Sequence, residues 1–322
     1  MRHFAKLACV FSLAGVLSAC GGNDHDAGAA KPDVSSAASS RLPAVRTDNL
    51  PDFFDCVRDT RGVLVAAHRA GPVPGFPENA LETMEHGFDH GIRMFEVDVA
   101  TSRDGVLFLL HDRSLGRTTT GDGPVADTDW AEISQLKLVD NDDEETDFTP
   151  PRLDDVLVWA KEVGAIVELD KKETTGWRSV IRAVEQTGAQ NNVLLITYTD
   201  GDAALVQRLA PDLMLTAGAR GGRDVAKLEA LGVDREKLVA WTGTQNEDAA
   251  AWARLASENV EAAFGTLGRR GERLDDAYWA DGDPSEYEDL VENGVVLLAT
   301  DAPLRVADAL SQDDRALNAC AG

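Results

Sequence analysis

The sequence contains little cysteine and far fewer basic residues than acidic ones. Only 4 of its 322 residues are cysteine, and 31 lysines and arginines stand against 56 aspartates and glutamates, which gives a net charge of −25. A surface with this excess of negative charge repels nucleic acid and anionic lipid, and no basic cluster reverses it. We therefore expect no nucleic-acid partner and no docking on membranes through the protein surface.

The apolar stretch near the N-terminus is too short to be a stable transmembrane helix. It covers residues 7–17, follows two basic residues and precedes Leu-Ser-Ala-Cys at 17–20. This order is typical of a bacterial lipoprotein signal, in which Cys20 becomes the acylated first residue. A plain signal peptide cut nearby is the alternative. Gly21 after the cysteine favours anchoring to the outer membrane, facing the periplasm or the exterior.

Three segments are predicted along the chain. Residues 1–20 form the signal, and its loss takes the net charge from −25 to −27 because Arg2 and Lys6 leave with it. Residues 21–45 are mostly Gly, Ala, Ser, Asp and Pro with little to bury, which indicates a flexible tether. Residues 46–322 suit one globular domain.

No glycine-rich dinucleotide or phosphate loop follows the first apolar run, which disfavours an open doubly wound sheet. Instead, short apolar runs alternate with amphipathic helical stretches over about 250 residues, a rhythm that predicts an α/β fold, the (β/α)₈ TIM barrel, with a small polar insertion after the third strand. There are nine such runs where a barrel needs eight, so one lies outside it. They are Val63–Ala67, Ile92–Phe95, Val106–Leu110, Ala165–Val167, Val193–Tyr198, Leu213–Ala217, Leu238–Thr242, Val260–Leu267 and Val295–Thr300.

The globular part keeps two cysteines, Cys56 near its start and Cys320 near its end. An exported protein folds where disulfides form, and the two ends of a closed barrel lie near one another. We therefore predict a disulfide between Cys56 and Cys320.

Two histidines end apolar runs, at His68 and His111. A single histidine at a strand end is as often structural as catalytic. Two on one barrel rim fit phosphodiester cleavage, which needs a base for the attacking oxygen and an acid for the leaving one. The carboxyl ends of barrel strands are where such chemistry gathers.

Carboxylates end the neighbouring runs. Glu96 and Asp98 are two residues apart and so point to the same side of a strand. Hard oxygen ligands without cysteine favour Mg²⁺ or Ca²⁺, while an internal salt bridge to Lys172 or Arg69 is the alternative.

The residues alone do not decide which carboxylate is the third ligand. Glu168, Asp170 and Lys172 are two residues apart in turn, so all three side chains can point to the same face of the strand. Trp241 ends a later run and can form an aromatic wall at the rim.

Several motifs in order resemble the glycerophosphodiester phosphodiesterase family over about residues 63–305. Each motif alone is weak, but their order and spacing are specific. They are His68-Arg69, Pro77-Glu78-Asn79, Glu96-Val97-Asp98-Val99, Thr101-Ser102-Arg103-Asp104-Gly105, His111-Asp112, Leu115-Gly116-Arg117-Thr118-Thr119 and Thr300-Asp301-Ala302-Pro303.

The resemblance implies roles for the strand-end residues. His68 and His111 correspond to the family's acid/base pair, Glu96 and Asp98 to two metal ligands, and Arg69 to a phosphate contact. The family's later Glu-x-Lys pattern has Asp170-Lys171-Lys172 here. This makes Asp170 the expected third ligand, with Glu168 in reserve, and Lys172 a second phosphate contact.

Two departures from the family pattern, Ala70 for glycine and Ala80 for threonine, indicate a divergent branch. The implied activity is metal-dependent hydrolysis of glycerophosphodiesters to glycerol 3-phosphate and an alcohol, with one Ca²⁺ or Mg²⁺, by a monomer whose only membrane contact is its lipid anchor. The alternatives are a related phospholipase-type barrel that acts on lipid phosphodiesters and a non-catalytic surface lipoprotein.

Overall fold

The structure, a computed structural model, describes residues 42–322. The predicted signal peptide, nearly all of the predicted tether and the predicted lipidation residue Cys20 lie outside the described residues. Among residues 42–322, none of the helices is both long enough and apolar enough to cross a bilayer.

Within this range nine strands form one sheet, and eight of them close into a parallel barrel because the first strand pairs with both the second and the last. The predicted (β/α)₈ barrel is therefore confirmed. The strands are β1 Leu64–Ala67, β2 Met94–Thr101, β3 Leu107–Leu109, β4 Ile166–Lys171, β5 Val193–Ile196, β6 Met214–Gly218, β7 Leu238–Trp241, β8 Glu261–Gly265 and β9 Val295–Thr300.

The surplus strand is β3. It pairs antiparallel with the end of β2, Val99 opposite Leu109, and it lies outside the barrel order. The connection between these strands is a tight hairpin, too short for the crossover helix that a parallel neighbour needs. The chain then enters an insertion with a small apolar core of its own, in which Leu115, Val125 and Ile133 are buried.

Helices surround the barrel between the strands. The two glycines after α4 and α5, Gly164 and Gly188, have positive φ of 75° and 68° and end those helices in the left-handed conformation. In residues 42–322 the helices are α1 Leu50–Asp59, α2 Leu81–Asp89, α3 Trp130–Ile133, α4 Leu153–Val163, α5 Trp177–Thr187, α6 Asp200–Leu209, α7 Arg223–Ala230, α8 Ala249–Ser257, α9 Leu274–Tyr278, α10 Ser285–Glu292, α11 Pro303–Ala309 and α12 Ser311–Cys320.

The strand side chains alternate between two apolar clusters. One cluster joins the outward residues of the strands to the surrounding helices. The other fills the barrel interior and includes Ala66, Met94, Ile166, Leu194 and Val239. Because alternate residues share a face, residues two and four positions after these also point inward, toward the carboxyl ends of the strands.

The opposite end of the barrel is closed by α1 and α12. A disulfide joins Cys56 of α1 to Cys320 of α12 across a separation of 264 residues, which is the pairing expected from the sequence. The segment assigned to the tether contacts this domain sooner than expected. The Arg93 guanidinium donates to the Leu42 carbonyl at 2.6 Å, and buried Val45 donates its backbone N–H to the Gly164 carbonyl at 2.8 Å. Among the described residues, packing therefore begins at 42 rather than at 46.

Candidate active site

Three carboxylates lie together at the carboxyl ends of β2 and β4. Glu96 and Asp98 continue the inward alternation of β2, and Asp170 continues that of β4, directly opposite Asp98 in the sheet register. One oxygen from each lies within 4.8 Å of the others, and all three side chains are buried. The structure therefore brings Asp170, and not Glu168, to the two carboxylates of β2.

Glu168 lies one inward step below this group. Burial raises the pKa of its carboxyl group to about 7, although a hydrogen bond with Thr216 acts to lower it. A carboxyl group with this pKa is protonated for much of the time at neutral pH. This state suits the barrel interior, where a second buried negative charge below the cluster would be costly.

The charge balance of the cluster leaves room for a cation. Burial, and then the negative charges of Asp98 and Asp170, raise the pKa of Glu96 well above its usual range. The Oδ1 atom of Asp170 is buried without a hydrogen-bond partner. Lys172 donates to the other oxygen of Asp170 at 2.7 Å and contacts Asp98, so the alternative salt bridge is present. One ammonium beside three carboxylates still leaves excess negative charge, and this oxygen donor set fits Mg²⁺ or Ca²⁺.

Asn79 fixes the orientation of Asp98. Its side-chain amide donates to Asp98 Oδ2 at 2.7 Å and its carbonyl oxygen accepts from the Asp98 backbone N–H at 2.8 Å. Burial acts to raise the pKa of Asp98, but the charges of Lys172 and His111 and these hydrogen bonds hold it below its usual value. Asp98 is therefore an ionised carboxylate with a fixed orientation.

His68 lies at the end of β1, beside the carboxylates. Its Nε2 is 4.0 Å from Glu96 Oε2, and its Nδ1 is 2.6 Å from Asp301 Oδ1. Asp301 also accepts from the Arg273 guanidinium at 2.9 Å. Burial acts to raise the pKa of Asp301, yet the contacts with His68, with Arg273 and with a backbone N–H of the β8–α9 loop bring it down to about 2. An ionised Asp301 fixes the His68 ring and leaves Nε2 turned toward the cluster.

His111 reaches the same site from outside the barrel. The hairpin strand β3 returns along the end of β2, so that the Leu110 backbone N–H donates to the Asp98 carbonyl at 2.9 Å. His111 Nδ1 is 2.7 Å from Asp112 Oδ1. Arg117 in turn donates to Asp112 at 2.6 Å and contacts Glu78 at 2.8 Å. Both histidines thus have an aspartate at Nδ1, although only His68 follows a barrel strand.

Arg69 follows His68 in a tight turn. Its backbone N–H donates to Glu96 at 2.8 Å, and its guanidinium contacts Glu78 at 3.2 Å. Its Nε is buried, 3.7 Å from Asp98 Oδ2, and makes no hydrogen bond. The next residue, Ala70, has a φ of 71°, a left-handed conformation that is strained for any side chain and would suit glycine better.

The other side of the barrel mouth carries Tyr198 and Trp241. The Tyr198 hydroxyl donates to Asp170 Oδ2 at 2.6 Å, while 74% of the residue is exposed. Burial of the hydroxyl end and then the charge of Asp170 raise the pKa of the phenol. Trp241 continues the inward alternation of β7 and packs against the interior cluster. Trp241, the residue predicted to form an aromatic wall, thus lies across the mouth from the carboxylates.

Among the residues that contact the candidate site without a role assigned from the sequence are Asn79, Asp301 and Tyr198. The first two stand in motifs that were recognised, and their contacts reveal what they position. Tyr198 could have been found from the sequence, because it ends an apolar run at a position whose side chain points into the barrel.

Comparisons with known proteins match most of the described residues to one family. The sequence model of the Glycerophosphoryl diester phosphodiesterase family matches residues 68–303. A curated Bacillus altitudinis relative named Glycerophosphodiester phosphodiesterase is 28% identical over 158 residues, 47% of this chain and 64% of the relative. The chain thus spans less than two thirds of the length of the curated relatives that it matches.

Solved structures share the fold. A Parabacteroides distasonis glycerophosphoryl diester phosphodiesterase superposes with a TM-score of 0.72 at 24% identity, over 84% of this chain and 94% of the other. An Oleispira antarctica phosphodiesterase, solved in complex with the product sn-glycerol-3-phosphate, superposes with a TM-score of 0.59 at 21% identity, over 78% and 98% of the two chains.

Proposed function

The chain belongs to the glycerophosphoryl diester phosphodiesterase family, and on that premise we propose that it hydrolyses glycerophosphodiesters to glycerol 3-phosphate and an alcohol with one divalent cation, Ca²⁺ or Mg²⁺. The observation that carries the proposal is the grouping of three buried carboxylates with two histidines, each of which has an aspartate at Nδ1. The arrangement provides oxygen ligands and two oriented proton carriers at one barrel mouth.

Glu96, Asp98 and Asp170 would hold the cation, and Glu168 lies buried below them. A divalent ion bound there supplies Lewis acidity toward a phosphate oxygen. The bond that breaks lies between phosphorus and the alcohol oxygen. Attack by water gives glycerol 3-phosphate directly, whereas attack by the substrate's own glycerol hydroxyl gives a cyclic phosphate that water opens in a second step.

The two histidines divide the proton transfers. One accepts the proton of the attacking oxygen, and the other donates a proton to the departing alcohol. Neither hydroxide nor an unprotonated alkoxide leaving group is then needed. Asp301 holds His68 and Asp112 holds His111, so that in each ring Nε2 is the nitrogen left for the substrate.

Arg69 and Lys172 would stabilise the negative charge that builds on the phosphate oxygens. The unpartnered Nε of Arg69 supports this role, because a buried donor without a partner is costly unless a ligand accepts from it. Burial acts to lower the pKa of Lys172, but Asp98 and Asp170 raise it above its usual value, so its ammonium stays charged.

The test is release of glycerol 3-phosphate from glycerophosphocholine and glycerophosphoethanolamine by the purified full-length chain, with Ca²⁺, Mg²⁺ or EDTA. We expect release that needs the cation and falls by roughly 10²–10⁴-fold in His111→Ala. His90→Ala is the matched control, since exposed His90 lies at the C-terminal end of α2 and its ring bonds to the His86 carbonyl of the same helix.

Release that persists in EDTA would contradict the metal assignment. No release from either substrate by a folded protein that binds metal would favour the lipid-directed phospholipase or the non-catalytic lipoprotein.

The proposal extends to location. We place the protein outside the cytoplasm, as a monomer anchored to the outer membrane through lipid on Cys20, and the Cys56–Cys320 disulfide is consistent with an oxidising compartment. Cys20→Ser should move the protein from the membrane fraction to the soluble fraction. An unchanged distribution would contradict lipid anchoring, and size-exclusion chromatography with light scattering tests the monomer.

A further inference from the structure

The inward positions at the barrel mouth fall into two groups. At the ends of β1, β2 and β4 they carry histidine, carboxylates and lysine. At the ends of β5 to β8 they are Tyr198, Gly218, Trp241 and Gly265, none of which is charged at neutral pH. The catalytic proposal uses the first group and leaves the second without a task.

A cavity of about 360 Å³ opens at the ends of β6 and β7. Trp241 and Gly218 line it, and a Cβ atom at Gly218 would meet nothing within 4 Å, so the space beside the indole is open. On the other side, a Cβ at Gly265 would lie only 2.8 Å from the ring of Trp241. Glycine at both positions thus allows the ring to lie where it does and leaves space on one side.

Tyr198 links the carboxylates to the chain segment that lines the cavity. The hydroxyl of Tyr198 bonds to Asp170, and Asp200, two residues after this tyrosine, lines the cavity. A diester held at the carboxylates could therefore extend one substituent past Tyr198 toward Trp241.

The cavity is lined by two carboxylates and two cations and so has no net charge, which leaves the indole ring to favour a positive ligand. Its two cations are engaged, since Lys227 pairs with Asp200 and Arg220 lies 3.6 Å from Asp248. The carboxylate of Asp224 also lines the cavity and accepts from the Arg220 backbone N–H at 3.0 Å. An indole face is the best aromatic surface for a quaternary or primary ammonium group.

Building on the proposed function, we propose that this cavity, which we call the Trp241 cavity, binds the departing alcohol of the substrate and favours a positively charged amino alcohol over an uncharged polyol. The glycerol 3-phosphate part lies at the carboxylates, and the ammonium group lies on the indole. Trp241 then determines specificity, while the histidines determine turnover.

The experiment compares kcat and KM of the metal-loaded full-length chain on glycerophosphocholine and on glycerophosphoglycerol, whose phosphates are alike and whose alcohols differ in charge. We expect Trp241→Leu to raise KM for glycerophosphocholine about tenfold with little change in kcat, and to leave glycerophosphoglycerol nearly unaffected. Trp241→Phe should recover part of the preference. Leu231→Ala, an exposed apolar residue at the C-terminal end of α7, is the control.

A second variant disturbs the packing less. Gly218→Ala adds a methyl group to open space and should raise KM for glycerophosphocholine more than for glycerophosphoglycerol. Equal losses on both substrates, or no loss in either variant, would overturn the subsite. A wild-type chain that hydrolyses neither diester would overturn the proposed function itself, and a chain that hydrolyses both but prefers the polyol would overturn only the charge preference.

Discussion

The two halves of the barrel mouth are built on the same strand-end geometry but differ in chemistry. The half formed by β1, β2 and β4 concentrates charge, and each charged group there is held by a neighbour: Asp98 by Asn79 and His68 by Asp301. The half formed by β5 to β8 has glycines and two aromatic rings beside open space. Positioning charge requires many fixed partners, whereas admitting varied alcohols requires room and a flat surface.

This difference separates the two expected kinds of damage. Loss of a group in the charged half should lower turnover on every substrate, because the phosphate is common to all of them. Loss in the neutral half should change which substrate is preferred.

The largest effect is expected from His68→Ala in the charged half. Removal of one of the two proton carriers should lower kcat by roughly 10²–10⁴-fold on both glycerophosphocholine and glycerophosphoglycerol. Steady-state kinetics on the two substrates, with His90→Ala as control, measures it. A fall in kcat on only one of the two substrates would contradict the separate roles of the two halves.

A smaller loss is expected from Asp301→Asn, which keeps the shape but removes the charge that holds His68. We expect kcat to fall by about 10- to 100-fold with KM little changed, because partners that orient functional groups typically contribute this much. Partial recovery in Asp301→Glu would indicate that the charge, rather than packing alone, is needed.

The same variant makes a pH prediction. The pKa of Asp301 is lowered to about 2, so its ionised form stabilises the fold above its unfolded pKa near 3.8, and this stability is lost as the pH falls through about 2. The wild type should therefore lose up to about 2 kcal/mol more unfolding free energy than Asp301→Asn between pH 4.5 and pH 2. Urea unfolding at several pH values measures the difference, and parallel curves would contradict it.

The charged half was the more predictable from sequence. Its main residues follow apolar runs at positions that point into the barrel, and the order of the motifs indicated their roles. They are His68, Glu96, Asp98 and Asp170. Strand parity left Asp170 and Glu168 open, and the family resemblance chose Asp170. In the structure Asp170 lies with Glu96 and Asp98, whereas Glu168 is one inward step below them.

The route by which His111 reaches the site was not predictable in the same way. The run before it reads like a barrel strand, and only the short link after β2 indicated otherwise. The antiparallel pairing of β3 shows that the histidine arrives through a hairpin.

The neutral half was predicted least well. Gly218 and Gly265 carry no chemical group for a motif to reveal, and their importance lies in the space that they leave beside Trp241. The bond from Tyr198 to Asp170 depends on the approach of β5 to β4, which parity alone does not give.

A still smaller effect on kinetics is expected from Gly265→Ala in the neutral half. The new Cβ would meet the Trp241 ring at 2.8 Å and the Thr244 methyl at 3.0 Å, so the ring must shift. The preference for glycerophosphocholine should fall by about threefold with kcat nearly unchanged, since a displaced ring keeps part of a weak cation–π contact. Overpacking should also lower the unfolding free energy by about 1–3 kcal/mol. An unchanged preference with an unchanged melting temperature would show that the ring position is not fixed by this glycine.

The smallest effect on either half is expected from breaking the disulfide at the far end of the barrel. Cys56→Ser combined with Cys320→Ser frees α1 from α12, which close the end opposite the mouth. Because the bond closes a loop of more than 260 residues, its loss should lower the unfolding free energy by about 2–5 kcal/mol. Distant sites act independently in a rigid fold, so kcat and KM on both substrates should stay within about twofold of the wild type at 25 °C. A change in substrate preference without a change in kcat would mean that the neutral half depends on the closed end of the barrel. Equal losses of kcat on both substrates would mean that the disulfide-linked helices, and not only the hydrogen bonds of the mouth, hold the mouth in place.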